Sequence, residues 1–353
     1  MRWLSLPLLL LVACTDSFEV GPMPDGSADA GPFDAAFPAT DATATRDAEV
    51  PRADAGSLSR CEVTTGPTVG DGCFCRGPIV ATDDYVYRQS LGIQVFARDR
   101  FESPVFVVDE RPSAQGGLVR VGEHLVSAVD FEDPALRVYS LADPARPVFV
   151  VGFGDGAGSP IRLAADGHFV VAAHHRDERV AVVLYDLTRP TRPARVFERT
   201  LDGSALAVAV APSGVFVIEA DVSRDRGQLL WLDLDGTERA SLAIVDPPYE
   251  PSLAIRDELV YFTGGTARLT RVRARADSLR VVDVVGEPIG VGTAIAFDDG
   301  LVVLGSLDVY EESSLRPLAT TDTFGGYSNL AVANGALYAS SGGGVTELLL
   351  RCE

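Results

Sequence analysis

Between Cys61 and Glu353 short apolar runs alternate with polar breaks, and the alternation repeats. One recurring element is an apolar run, a turn bearing Asp, Gly or Asn, and a second apolar run. It reads "IVATDDYVYR" from Ile79, "LVRVGEHLVSA" from Leu118, "IRLAADGHFVVAA" from Ile161, "LAVAVAPSGVFVIEA" from Leu206, "LAIRDELVYFTG" from Leu253, "AIAFDDGLVVLGS" from Ala294 and "LAVANGALYASS" from Leu330. After each comes a further apolar run ending in a large anchor: Phe96, Tyr139, Tyr185, Trp231, Val272, Tyr310 and Leu349. The anchors are 43, 46, 46, 41, 38 and 39 residues apart, so both markers give seven copies.

Each copy reads as short strands rich in Val, Ile, Leu and aromatics, and none sustains a 3.6-residue helical period. Four strands in roughly 40 to 45 residues is the unit of a β-propeller blade. The expected fold is therefore all-β, a seven-bladed β-propeller with four-stranded blades. Two corners share their spelling: "YSLADPARPVFVV" from Tyr139 and "YDLTRPTRPARVF" from Tyr185 each place Pro five and eight residues after the Tyr. Pro144, Pro147, Pro190 and Pro193 then fall between third and fourth strands, with Pro104 at the second position in the first copy. Proline gives no N–H to a ladder, so it suits turns and outer edge strands. The fourth copy has "LDLDGTE" at this corner, whose Asp235–Gly236 step predicts a two-residue type I′ hairpin.

The run of apolar strand, Tyr or Trp, an Asp-like position and then "DPxxP" resembles the LVIVD-type repeats of bacterial secreted β-propellers. The resemblance covers copies two and three well, copy one in part, and the rest by strand rhythm. WD40, kelch and quinoprotein signatures are absent.

The last copy reaches Glu353 directly after its third strand, leaving an edge to be covered. The stretch "CEVTTG" from Cys61 is placed to supply that strand and close the last blade. Antiparallel pairing would set Cys61 beside Cys352, and a disulfide there would enclose nearly the whole domain. Cys73 and Cys75 in "GCFC" are rival partners, and four cysteines allow three pairings.

Ahead of the repeats, "MRWLSLPLLLLVAC" has one positive charge, a short apolar run and a small residue before Cys14, as in a secretory signal peptide over residues 1–13. The step "LVAC" resembles the lipobox of bacterial lipoproteins, which implies cleavage before Cys14 and its lipidation. In that family Asp directly after the Cys favours the inner membrane. Here Thr15 follows, which points to the outer membrane of a Gram-negative cell envelope. From Cys14 to Arg60 the chain is mostly Asp, Ala, Pro, Gly, Ser and Thr, with nine acidic residues against three arginines. Such a segment buries too little apolar surface to offset its ordering entropy and reads as a disordered tether. The organisation is then 1–13 signal peptide, 14–60 lipidated Cys and tether, 61–353 propeller.

A formal charge of −20 opposes nucleic-acid binding. All thirty basic side chains are Arg, which removes Schiff-base chemistry, a P-loop lysine and a kinase lysine.

Motifs for chemistry are sparse. His124, His168, His174 and His175 form no ligand spacing, and "HHRDER" from His174 reads as a solvated strand end or loop. There is no GxSxG, HExxH or phosphate loop. Asp298-Asp299-Gly300 reads as a hairpin turn, Glu311–Glu312 as a solvated corner, and "DLDG" from Asp233 as a hairpin without calcium ligands. The aromatic anchors repeat with the blades and read as packing residues. No catalytic residue, metal site or cofactor is expected. The reading is a monomeric, membrane-anchored, surface-displayed binding module for an envelope or extracellular protein or glycan. The alternative is a lactonase- or glycosidase-like hydrolase with carboxylates or a metal at the propeller axis.

Overall fold

The computed structural model describes residues 60–69 and 77–353, apart from 91, 109–116, 130–133, 155–159, 177–178, 222–225, 246, 248–250, 265–266, 287–293, 321–326 and 342–343. Cys14, the tether, Cys73 and Cys75 lie outside the described residues. These residues form seven four-stranded antiparallel sheets, the blades of a propeller. Blades 1 to 6 span 79–108, 118–153, 160–201, 204–245, 253–285 and 295–319, each in simple order from inner to outer strand. Blade 7 takes its three inner strands from 329–352 and its outermost strand from Cys61–Val69.

Seven apolar clusters join the blades pairwise around the ring. Tyr87 meets Leu125, Val138 meets Val183, Val182 meets Val217 and Phe216 meets Val260. Tyr261 then meets Val302, Val303 meets Leu337, and Tyr338 meets Val86 to complete the circle. The middle strands read as continuous apolar runs because both their faces are covered by neighbouring blades. Outer strands such as Ser278–Val285 consist of exposed and half-buried positions, since one face meets solvent.

The anchors are packing residues: Phe96, Tyr139, Tyr185, Trp231, Val272 and Tyr310 are all buried. In the seventh copy the register corrects the expectation. Leu348 is buried and pairs with Leu337, whereas Leu349 points outward and is 48% exposed. Consecutive residues of a strand face opposite sides, so a one-residue error in "ELLLRC" exchanges core for solvent.

The proline corners follow turn chemistry. In blade 2 the Arg146 N–H donates to Asp143 O at 3.0 Å, and in blade 3 the Arg192 N–H donates to Arg189 O at 2.8 Å. Pro144 and Pro190 therefore occupy the second turn position, where their fixed φ is an advantage. Pro147 and Pro193 stand one residue ahead of the outer strands Val148–Phe153 and Ala194–Leu201. The blade 4 corner differs from the expected two-residue hairpin. The Gly236 N–H donates to Asp233 O at 2.9 Å and Asp233 N–H to Thr237 O at 2.7 Å, so the loop is a longer one. Gly236, at φ 87°, takes the left-handed position that ends it. A Cβ there would come within 2.9 Å of the Phe197 ring.

Ring closure follows the expected pairing. Cys61 lies opposite Cys352 in an antiparallel ladder running to Val69 and Val345, and the two cysteines form a disulfide with Cα atoms 4.1 Å apart. The ladder is irregular between Thr65 and Thr68, where Gly66 and Pro67 fall. This is the outermost strand of its blade, where proline and a bulge are tolerated.

Candidate functional site

Simple strand order puts the turns joining strands one to two and three to four of each blade on one face of the ring. The inner circle of this face is built from tight hairpins. Two-residue loops are flanked by the pairs Val121 and His124, Asp166 and Phe169, Arg256 and Leu259, Asp298 and Leu301, and Ala333 and Ala336. Such loops need positive φ, found at Asp257 (56°), Asp299 (36°), Gly300 (79°), Asn334 (47°) and Gly335 (68°). Turn chemistry thus supplies Asp and Asn, and the circle becomes acidic through Asp83, Asp84, Glu123, Asp166, Asp257, Glu258, Asp298 and Asp299. Asp298 is pushed above the usual carboxylate range by burial and by the neighbouring Asp299 charge.

The inner strands themselves offer little for catalysis. Their ionisable residues are Arg120, Arg162, Asp166, Arg256 and Asp298. The arginines are engaged: Arg120 Nε donates to Gly122 O at 2.8 Å, Arg162 Nε to Leu206 O at 2.8 Å, and Arg256 lies 3.0 Å from Glu312. Among the described residues, no three or more His, Cys, Asp or Glu side chains gather where they could hold a metal ion.

The histidines do not converge. His168 sits exposed in a blade 3 turn, its ring 4.2 Å from that of Phe169, with Asp186 3.9 Å from Nε2. His174 is six residues further along, about 20 Å away at strand spacing. It is fully buried, which corrects the expectation of a solvated end. The strand runs on to Arg176, keeping His174 on the face that carries Val170 and Ala172 into the core between blades 2 and 3. Glu311–Glu312 is likewise not wholly solvated, since the Glu312 side chain is 13% exposed and meets Arg256. Asp298-Asp299-Gly300 is the hairpin that its residues imply.

A cleft lies on the same face at the seam where blade 7 meets blade 1, with a volume of about 560 Å³. Blade 1 contributes the turn residues Asp83 and Asp84, the adjoining Tyr85, and Ala97, Arg98 and Asp99 where its third strand passes into a short 3-10 turn. Blade 7 contributes Asn334 from its first hairpin, with Tyr338 and Glu347 from its middle strands. Arg98 spans the seam: Nε donates to the Tyr338 hydroxyl at 2.7 Å, Nη1 to Asp83 O at 2.6 Å, and the guanidinium lies 5.6 Å from the Tyr338 ring centre. Burial raises the Tyr338 phenol, so it is neutral at ordinary pH.

At some outer corners of this face carboxylates meet arginines. Arg239 lies 3.0 Å from Asp233 and 3.2 Å from Asp277, and Arg199 is 2.7 Å from Glu238. In the cleft four carboxylates accompany the single guanidinium of Arg98. Asp99 has Arg100 3.7 Å away, but both side chains are largely exposed and such a pair is weak. The sequence gives no sign of the cleft, which requires residues about 250 positions apart to be brought together by ring closure.

No protein-family model matches the chain, and no curated protein matches it. Among solved structures it is similar to the WD40 domain of Toxoplasma gondii coronin, with a TM-score of 0.56 and 12% identity, covering 84% of this chain and 87% of that one. A chain in a crystal structure of the Mitotic Checkpoint Complex gives a TM-score of 0.56 at 12% identity, over 87% of this chain and 99% of that one. The computationally designed protein Ika8 gives 0.53 at 12% identity, over 80% and 98%. At such identity the likeness is one of fold.

Proposed function

We propose that the protein is a binding module held at the cell envelope by lipid on Cys14, with residues 15–60 as the tether and the propeller presenting its turn face to a partner protein or glycan. The carrying observation is that this face combines acidic inner hairpins on five of the seven blades with a cleft, while among the described residues the inner strands bring no reactive set of side chains to the axis. Propellers supply broad loop surfaces on a rigid frame. One structural neighbour is part of a multi-protein assembly, the Mitotic Checkpoint Complex, which agrees with such a use. The N-terminal pattern ending in "LVAC" and the LVIVD-like corners support export and an outer-membrane address.

The test pairs fractionation with crosslinking in the native host. Cys14→Ala is expected to release the protein from the membrane fraction, and photocrosslinkers on the turn face, for example at Asn334, are expected to trap a defined partner. Unchanged sedimentation sinks the anchor. Failure of turn-face probes to trap anything, where probes on the opposite face succeed, sinks the choice of face.

A further inference from the structure

We infer that the cleft between blades 7 and 1 receives a basic side chain, arginine or lysine, from the partner protein; this deepens the binding-module reading and rests on it. The walls are formed before any ligand arrives. Tyr338 is fully buried at the base, and Arg98 is tied to both blades by its bonds to Tyr338 and Asp83. Its backbone N–H also donates to Asp84 O at 2.9 Å. The residue that bridges the seam is thereby held in place, and little ordering is left for binding to bear.

The charge balance then selects the ligand. Asp83, Asp84, Asp99 and Glu347 outnumber Arg98, and among the described residues Asp83, Asp84 and Glu347 form no ion pair. An anionic group entering the cleft would be repelled, while a cation would meet the carboxylates. A bare metal ion fits poorly, because a fixed guanidinium stands in the cleft and no three ligating side chains gather there. A volume of about 560 Å³ gives room for a long side chain. The acidic hairpins around the rest of the inner circle extend the same potential and would draw a basic segment toward this face.

The occupant is a protein side chain rather than a free amine, because turns of both blades, with Asp83, Asp84 and Asn334, border the cleft and offer further contacts to the flanking residues of a segment. A suitable probe is an end-blocked peptide carrying arginines spaced by Gly-Ser, with citrulline replacing arginine as the uncharged isostere. The full-length protein in detergent is titrated with both and followed by fluorescence anisotropy. Binding of the arginine peptide is expected to weaken with salt and to exceed that of the citrulline peptide. Glu347→Gln and Asp99→Asn are each expected to weaken it about 1.5- to fivefold, as for removal of one partly screened charge partner. Asp202→Asn, an exposed change on the opposite face, removes the same charge and should leave affinity unaltered. Melting curves separate lost binding from lost fold, and Asp99 is a second, exposed site should Glu347→Gln perturb packing.

Equal binding of arginine and citrulline peptides, or equal loss with Asp202→Asn, overturns the inference. A crosslinked partner retained undiminished by the Glu347→Gln protein overturns it too while leaving the binding-module reading intact. A protein that traps no partner through the turn face yet binds the arginine peptide in the cleft separates the two in the other direction.

Discussion

Cys61 and Cys352 face one another across the ladder that closes the ring, joined by a disulfide that spans 291 residues of sequence. The link holds the borrowed outer strand against blade 7, and the Glu353 N–H continues the ladder to Arg60 O at 2.9 Å. In the chain-entropy account a loop of this size stabilises by about 5 to 6 kcal/mol, mainly by restricting the unfolded chain. Cys352→Ser is therefore expected to lower the denaturation midpoint strongly, and reductant should lower that of the parent protein to a similar value. Identical midpoints for the parent protein with and without reductant would show that ladder and core alone close the ring.

Asp308 is fully buried, accepting from Arg268 at 2.8 Å across the gap between blades 5 and 6 and from the Ser306 hydroxyl at 2.5 Å. Removing one member of such a pair strands the other's charge. Asp308→Ala should destabilise by about 3 kcal/mol, at the lower end for buried pairs because Arg268 keeps some solvent contact. Urea unfolding measures this, and Arg268→Met in the same chain is expected to recover part of the loss. A double variant no more stable than Asp308→Ala would contradict the coupling.

Blade number, the strand rhythm, the proline corners and the borrowed strand were all legible, because each blade repeats one local grammar of apolar run and turn residue. Tyr185 and its corner prolines say nearly the same thing as Tyr139 and its own. Legibility fails where partners come from different blades. Nothing in "HHRDER" says that His174 stays inside the ladder, since the deciding fact is that blade 2 covers that strand face. Nothing near Glu312 announces Arg256, 56 residues earlier. Arg98 and Tyr338 are 240 residues apart, and the cleft exists only once the last blade meets the first. The anchor at Leu348 was missed by one residue because three leucines in succession carry no alternation to set the register.

At the blade 3 corner Asp186 accepts from the Thr188 hydroxyl at 2.6 Å and from its N–H at 2.7 Å. These bonds hold its carboxyl below the usual carboxylate range, with the Thr188 hydroxyl the main cause. A carboxyl more acidic in the folded state stabilises above its unfolded pKa and loses that contribution as pH falls through the folded value. Asp186→Ala is expected to cost about 0.5 to 1 kcal/mol at neutral pH, the net worth of exposed hydrogen bonds. Thermal unfolding from neutral to strongly acidic pH should show the difference from the parent protein shrinking toward zero. A constant difference would mean that the carboxylate charge has no part in the corner.

Asp298 should behave in the opposite sense, although it too sits at a turn. Its carboxyl is raised, first by burial beside the first hairpin of blade 6 and then by the Asp299 charge. The folded protein thus holds this proton more tightly than the unfolded chain, so ionisation works against folding. Stability from this group is greatest below the unfolded pKa and falls as pH rises through the higher folded value. Asp298→Asn keeps the shape and removes the charge, so it should melt higher than the parent protein at pH 7 and level with it at pH 3. Should the variant melt lower at pH 7, the carboxylate would be in favourable contact with a basic group, and the acidic inner circle would be less uniform in potential than its turn residues imply.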